Sequence, residues 1–134
     1  MARILEAAPW TRQVQLILQP MSSQEVLRRW LSEHGYAVQR ESLAREGKKF
    51  YSILTATGGT SVAYTPGEFW AGRQAKGECN PHRLDYLKDL LCRRQRALEG
   101  MQRSSAVSPE TLAAEEALIA DLQRMKEEWI QWQQ

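Results

Sequence analysis

Between Val14 and Gly59 the chain sets out a strand-like run ending in Gln19-Pro20, a helix, and two strand-like runs joined across Glu46-Gly47-Lys48. Val14 to Leu18 is short, apolar and rich in β-branched residues, the pattern of a strand buried on both faces in the middle of a parallel sheet. Pro20 ends it. Ser22 and Glu25 have capping-box spacing. Val26, Leu27, Trp30 and Leu31 predict the buried face of the helix, Arg28, Arg29 and Glu33 its outer side, and Gly35 its left-handed stop. Tyr36 to Arg45 and Lys49 to Thr57 predict an antiparallel hairpin. Phe50, Ile53 and Leu54 place apolar residues on both faces of the second strand, so that strand is expected inside the sheet.

Strand, helix, hairpin is the order in which many doubly wound α/β domains finish. Such a domain needs several earlier strands to complete its sheet and hold a cofactor. Here only Ala2 to Ala8 precede, reading as the last turns of a helix stopped by Pro9, with Ile4, Leu5 and Ala8 as its buried stripe. The expectation is the back half of an enzyme, with the substrate side present and the cofactor side absent.

After residue 59 the character changes. Residues 60–79 gather Gly67, Gly72, Gly77 and Pro66 and read as a linker, in which Phe69 and Trp70 suggest packing. Residues 80–134 predict two helices, started by Asn80-Pro81 and Ser108-Pro109, each a capping residue before a proline at the first helical position. Leu84, Leu87, Leu91, Leu98 and Met101 recur in steps of three and four, interrupted by Arg94, as do Leu118, Leu122, Met125, Trp129 and Trp132. These stripes predict an antiparallel hairpin with a coiled-coil-like seam. The first helix is rich in arginine and the second in glutamate, but exposed pairs contribute only about 0.2–1 kcal/mol each, so the apolar seam must supply most of the stability. The expected organisation is 1–59 as the end of an α/β domain, 60–79 as linker, and 80–134 as helical hairpin.

A net charge of +2 is too small to argue nucleic-acid binding by itself. No apolar run approaches the roughly 18–20 residues of a membrane span, and the first residues open no signal peptide. Cys79 and Cys92 make no disulfide framework, so a reduced cytoplasmic protein is expected. With His82 they give three ligand-type residues and no nearby fourth, which does not fill a tetrahedral metal site. No Ser-His-Asp, Cys-His or paired-carboxylate arrangement stands out, so the catalytic residue is unassigned.

Leu16-Ile17-Leu18-Gln19-Pro20, Leu27-Arg28-Arg29-Trp30-Leu31, His34-Gly35-Tyr36 and Glu46-Gly47-Lys48-Lys49-Phe50-Tyr51 closely resemble one family. It is the bacterial tRNA adenine-22 N1-methyltransferases, S-adenosylmethionine-dependent enzymes with a Rossmann-like domain and a C-terminal coiled-coil hairpin. The resemblance runs from about Ile4 to Gly59 and continues as architecture through the helices. It implies the C-terminal part of a Rossmann-like methyltransferase sheet, tRNA as partner, and neither DNA nor a membrane. The family's cofactor motifs, an acidic-Gly segment and a Gly-Met-Gly-Gly turn, do not occur here. S-adenosyl-L-methionine is therefore expected for the intact enzyme and not for this chain alone. Met21 stands where the family usually has Asn, and Ser52 where Glu commonly follows the Tyr. A noncatalytic methyltransferase remnant, working as an RNA-binding or protein-interaction module, is the alternative.

The candidate site residues follow from strand order and charge. Ligands of open α/β sheets sit beyond the carboxyl ends of the strands, here Gln19, Pro20 and Met21. Gln19 offers an amide to a base edge; equally, Gln-Pro terminates the strand and no more. Arg93, Arg94 and Arg96 are either contacts to tRNA phosphates or a solvated face that neutralises the acidic helix. Trp30, Trp129 and Trp132 fall at core positions; Trp10 and Trp70 are unassigned.

Overall fold

The structure, a computed structural model, describes residues 2–134. It divides into two compact units, meeting between Tyr64 and Thr65.

In the first unit, α1 (Ala2–Ala7) and a 3-10 turn (Pro9–Gln13) lead into β1 (Leu16–Leu18), α2 (Gln24–Glu33), β2 (Tyr36–Glu46) and β3 (Lys49–Gly58). The sheet order is β1-β3-β2, with both pairings antiparallel. β1 and β2 therefore run parallel to each other, with β3 inserted between them as the interior strand expected. α1 and α2 cover one face of this sheet, where Leu5, Leu18, Leu27, Leu31, Tyr36, Leu54 and Ala56 form the core. Thr11 closes the edge of that core, its hydroxyl 2.6 Å from the Tyr36 hydroxyl.

β1 departs from the expected buried central strand. It is shorter than predicted, lies at the edge of the sheet, and leaves Ile17 73% exposed. Its uninterrupted apolar pattern suits a strand with two covered faces, whereas the described residues cover only the side of Leu16 and Leu18. Ile4 and Val26 are likewise exposed rather than buried.

Helix α2 differs at its start. Its N-cap is Ser23, in the left-handed region at φ 55 and ψ 46, and no side chain caps it; the Ser22–Glu25 capping box does not form. The stop is as expected, with Gly35 at φ 81. Arg28, read as outward-facing, is fully buried. It lies beside Leu27 on the wide stripe that a core-facing helix presents, and Glu41 of β2 neutralises it.

The second unit contains α3 (Pro66–Ala71), α4 (Arg83–Arg103) and α5 (Pro109–Trp132). α3 lies within the stretch read as a linker and is held by a full capping box between Thr65 and Glu68. A Cβ at Gly67 would overlap the side-chain ends of Asp121 and Met125 of α5, which would have to shift to admit it. The Gly67 amide donates to Asp121 Oδ2 at 2.8 Å. Buried Arg83 donates to the carbonyls of Ala71 and Gly72, satisfying the free acceptors at the end of α3.

α4 begins later than Asn80-Pro81 implies. Its N-cap is His82, without a side-chain cap, because residues 80–82 form a turn in which the Arg83 amide donates to the Asn80 carbonyl. Ser108 caps α5 as expected, accepting from the Thr111 amide. α4 and α5 pack together and bury Leu87, Leu90, Leu91, Leu118, Leu122, Met125 and Trp129. Leu84 and Leu98, placed in the stripe from sequence, are only half-buried; Tyr86 and Leu90 take up the buried face instead.

Candidate functional site

The loop leaving the carboxyl end of β1 has an exposed Gln19, a buried Pro20 and a Met21 that is 80% exposed. Ser23 then turns the chain into α2 through its left-handed conformation, which costs a non-glycine residue about 1 kcal/mol or more and clusters at functional sites.

A polar network follows at the start of α2. Arg28 Nη2 donates to Glu41 Oε1 at 2.7 Å, and Arg28 Nε donates to Glu41 Oε2 at 3.1 Å. Arg28 Nη2 also reaches Gln24 Oε1 at 3.3 Å, which accepts from the Ser52 hydroxyl at 2.9 Å. Register explains the convergence. Leu18 pairs with Leu54, so Ser52 lies two residues beyond the end of β1 and on the same face, beside the first turn of α2. Glu41 pairs with Leu54 and Leu43 with Ser52, so alternation points Glu41 to that face too. The network ties α2 to β2 and β3 just after the loop and offers no nucleophile or proton-transfer pair to solvent.

Gln24, Arg28 and Glu41 were missed in the sequence as members of this site. The signal was present in Glu41, which shares its strand face with Leu43, and in Arg28, one residue from Leu27. Ser52, noted only as a departure from the family pattern, is the β3 member of the network.

In the helical unit the three arginines separate. Successive residues of a helix are about 100° apart, so Arg93 and Arg96 share an exposed face and Arg94 turns inward. Arg94 Nε donates to Glu115 Oε1 of α5 at 2.7 Å, and its guanidinium lies 4.3 Å from the centre of the Trp70 ring. Arg93 Nε donates to Asp89 Oδ2 at 3.0 Å, an exposed pair. Trp10 is exposed, Trp129 is buried, and Trp30 and Trp132 are half-buried. Burial pushes the Asp121 carboxyl up, but hydrogen bonds from Thr65, Arg124 and the Gly67 amide outweigh it and hold the group below its ordinary value.

Cys79 and Cys92 are exposed and unbridged, and among the described residues no three His, Cys, Asp or Glu side chains are placed to hold a metal ion. Among them no helix is long and apolar enough to cross a membrane.

The sequence model of the tRNA (adenine(22)-N(1))-methyltransferases matches residues 1–121, nearly the whole chain. The chain belongs to this family. The m1A22 tRNA methyltransferase TrmK of Bacillus subtilis is 25% identical, with a TM-score of 0.62 over 94% of this chain and 55% of its own. Sp1610 of Streptococcus pneumoniae, solved in complex with S-adenosyl-L-methionine, is 28% identical, with a TM-score of 0.64 over 89% of this chain and 54% of its own. A Streptococcus agalactiae protein of the NADB-Rossmann superfamily shares the fold, with 23% identity and a TM-score of 0.71 over 93% of this chain and 54% of its own. No curated protein matches the chain. The chain thus spans just over half the length of these solved structures, and the Rossmann-like assignment agrees with their fold.

Proposed function

We propose that this chain is the substrate side of an S-adenosylmethionine-dependent methyltransferase that modifies N1 of adenine in tRNA, at position 22 as the family description has it. The family match over residues 1–121 carries this reading. The loop at Gln19, Pro20 and Met21, placed at the carboxyl end of a strand and followed by a helix that the Arg28–Glu41 pair fixes to β2, supports it. Ligands of α/β sheets bind at such ends, and rigid support is what positioning an attacking nitrogen requires.

The described residues do not fit the cofactor. The loop leaving β1 has no glycine-rich cradle, and β2 ends in a two-residue turn. S-adenosyl-L-methionine is assigned to the part of the relatives' length that these residues do not span, and the part played by these residues is recognition. Gln19 presents an amide to a base edge, and extruding that base costs a few kcal/mol. Arg93 and Arg96 offer an exposed cationic face to tRNA phosphates, while Arg94 fixes the helices that carry them. We read α4 and α5 as a coiled-coil-like arm for tRNA, and the isolated chain as inactive.

The coding DNA immediately upstream tests the reading. An in-frame extension that encodes glycine-rich cofactor motifs supports the enzyme. A stop codon followed by a ribosome-binding site would replace it with a noncatalytic module.

A further inference from the structure

The β2–β3 hairpin reaches well past the strand-end loop. Because β1 and β2 run parallel, their carboxyl ends lie at the same end of the sheet, and the hairpin turn lies there too. β1 pairs no further than Leu54, whereas β3 begins at Lys49, five residues earlier. At about 3.4 Å per residue the arm projects about 17 Å beyond the last pairing of β1.

This arm is basic, and Arg45 makes local contacts at its tip. Arg45, Glu46, Lys48 and Lys49 are all exposed and together carry a net charge of +2, as much as the whole chain. Arg45 Nε donates to the Gly47 carbonyl at 2.9 Å, and its guanidinium lies 5.0 Å from the centre of the Phe50 ring. Arg45 and Phe50 are register partners on the face that carries Glu41 and Ser52, so they extend the polar network outward. Lys48 and Lys49 make no ion pair among the described residues. Elsewhere in this unit the main buried cation, Arg28, is neutralised by Glu41.

We infer that the hairpin tip is an RNA contact, in which Lys48 and Lys49 bind backbone phosphates farther along the strand from the nucleotide presented at Gln19. The inference deepens the proposed function and rests on it for the identity of the nucleic acid. A flexible ammonium suits a phosphate as a point charge, and the paired antiparallel arm carries the two lysines beyond the end of β1 with the register kept to Glu46–Lys49.

The test is a salt series of tRNA affinities for the 134-residue chain, wild type against Lys48→Gln/Lys49→Gln. Removing two phosphate contacts should weaken binding and make the slope of log affinity against log salt shallower by about 1.4–1.8. Lys48→Arg/Lys49→Arg should keep the wild-type slope. A benzophenone side chain at position 48 should crosslink tRNA in the otherwise native chain, which covers the case of a misfolded double variant. An unchanged slope in the Gln variant, no crosslink, or a chain that does not bind tRNA would each overturn the inference. Hairpin-dependent binding without methyl transfer by the completed enzyme would remove the proposed function and leave the hairpin contact standing. Methyl transfer with an unchanged slope would do the reverse.

Discussion

Arg28 and Glu41 form a two-point ion pair between α2 and β2, at 2.7 and 3.1 Å, in which the arginine is 0% exposed. Removing one partner of a buried pair leaves an uncompensated charge and costs about 3–5 kcal/mol. Glu41→Leu is expected to destabilise the first unit by about that amount in urea unfolding. The double variant Arg28→Met/Glu41→Leu should recover much of the loss. A change below about 1 kcal/mol in Glu41→Leu would show that the pair is not desolvated.

Leu91 is 5% exposed between α4 and α5, whereas Leu98 is half-buried. Leu91→Ala should lower stability by about 2–5 kcal/mol, and Leu98→Ala should cost less. Equal and small effects on thermal unfolding would mean that the helices pack on another face.

The three arginines of α4 should divide by role. Arg94→Ala removes both the Glu115 pair and the Trp70 contact, so its main effect is on stability of the helical unit. Arg93→Gln/Arg96→Gln should leave stability within about 0.5 kcal/mol, as surface changes do, and flatten the salt dependence of tRNA affinity. In the completed enzyme, methyl transfer at saturating tRNA should change little with that double substitution. Identical affinities and slopes would return Arg93 and Arg96 to a solvated face.

Asp121 links stability to pH. Its folded carboxyl is held below the ordinary value of 3.8, since hydrogen bonds from Thr65, Arg124 and Gly67 outweigh the opposing effect of burial. Its contribution is therefore fully present above the unfolded value and is lost as pH falls through the folded one. The stability difference between wild type and Asp121→Asn should be level from neutral pH down to about 5 and shrink below about 4. A difference that grows on acidification would contradict the sign.

What could be read from sequence was set by local chemistry. Gly35, the Ser108-Pro109 start and the Glu46-Gly47-Lys48 turn encode their own geometry and are found as read. Arg28 could not be placed in this way, because its burial depends on Glu41, thirteen residues away on another element. β1 misled for a related reason: Ile17 fits a strand covered on both sides, and cover is a tertiary property. At the candidate site, strand order pointed to Gln19, but the neighbouring Arg28–Glu41–Gln24–Ser52 network arises from the register of β3 on β1 and β2. The separation of Arg94 from Arg93 and Arg96 was latent in helical periodicity and became evident only with Glu115 opposite.

The most direct test joins this chain to the cofactor-binding portion of the Bacillus subtilis relative and supplies tRNA lacking the modification with labelled S-adenosyl-L-methionine. Primer extension should stop at adenine 22, the position in the family description, and labelled methyl should enter the tRNA. A folded fusion that binds S-adenosyl-L-methionine yet transfers no methyl group, or modifies a different nucleotide, would contradict the assignment of this chain as the substrate side of the enzyme.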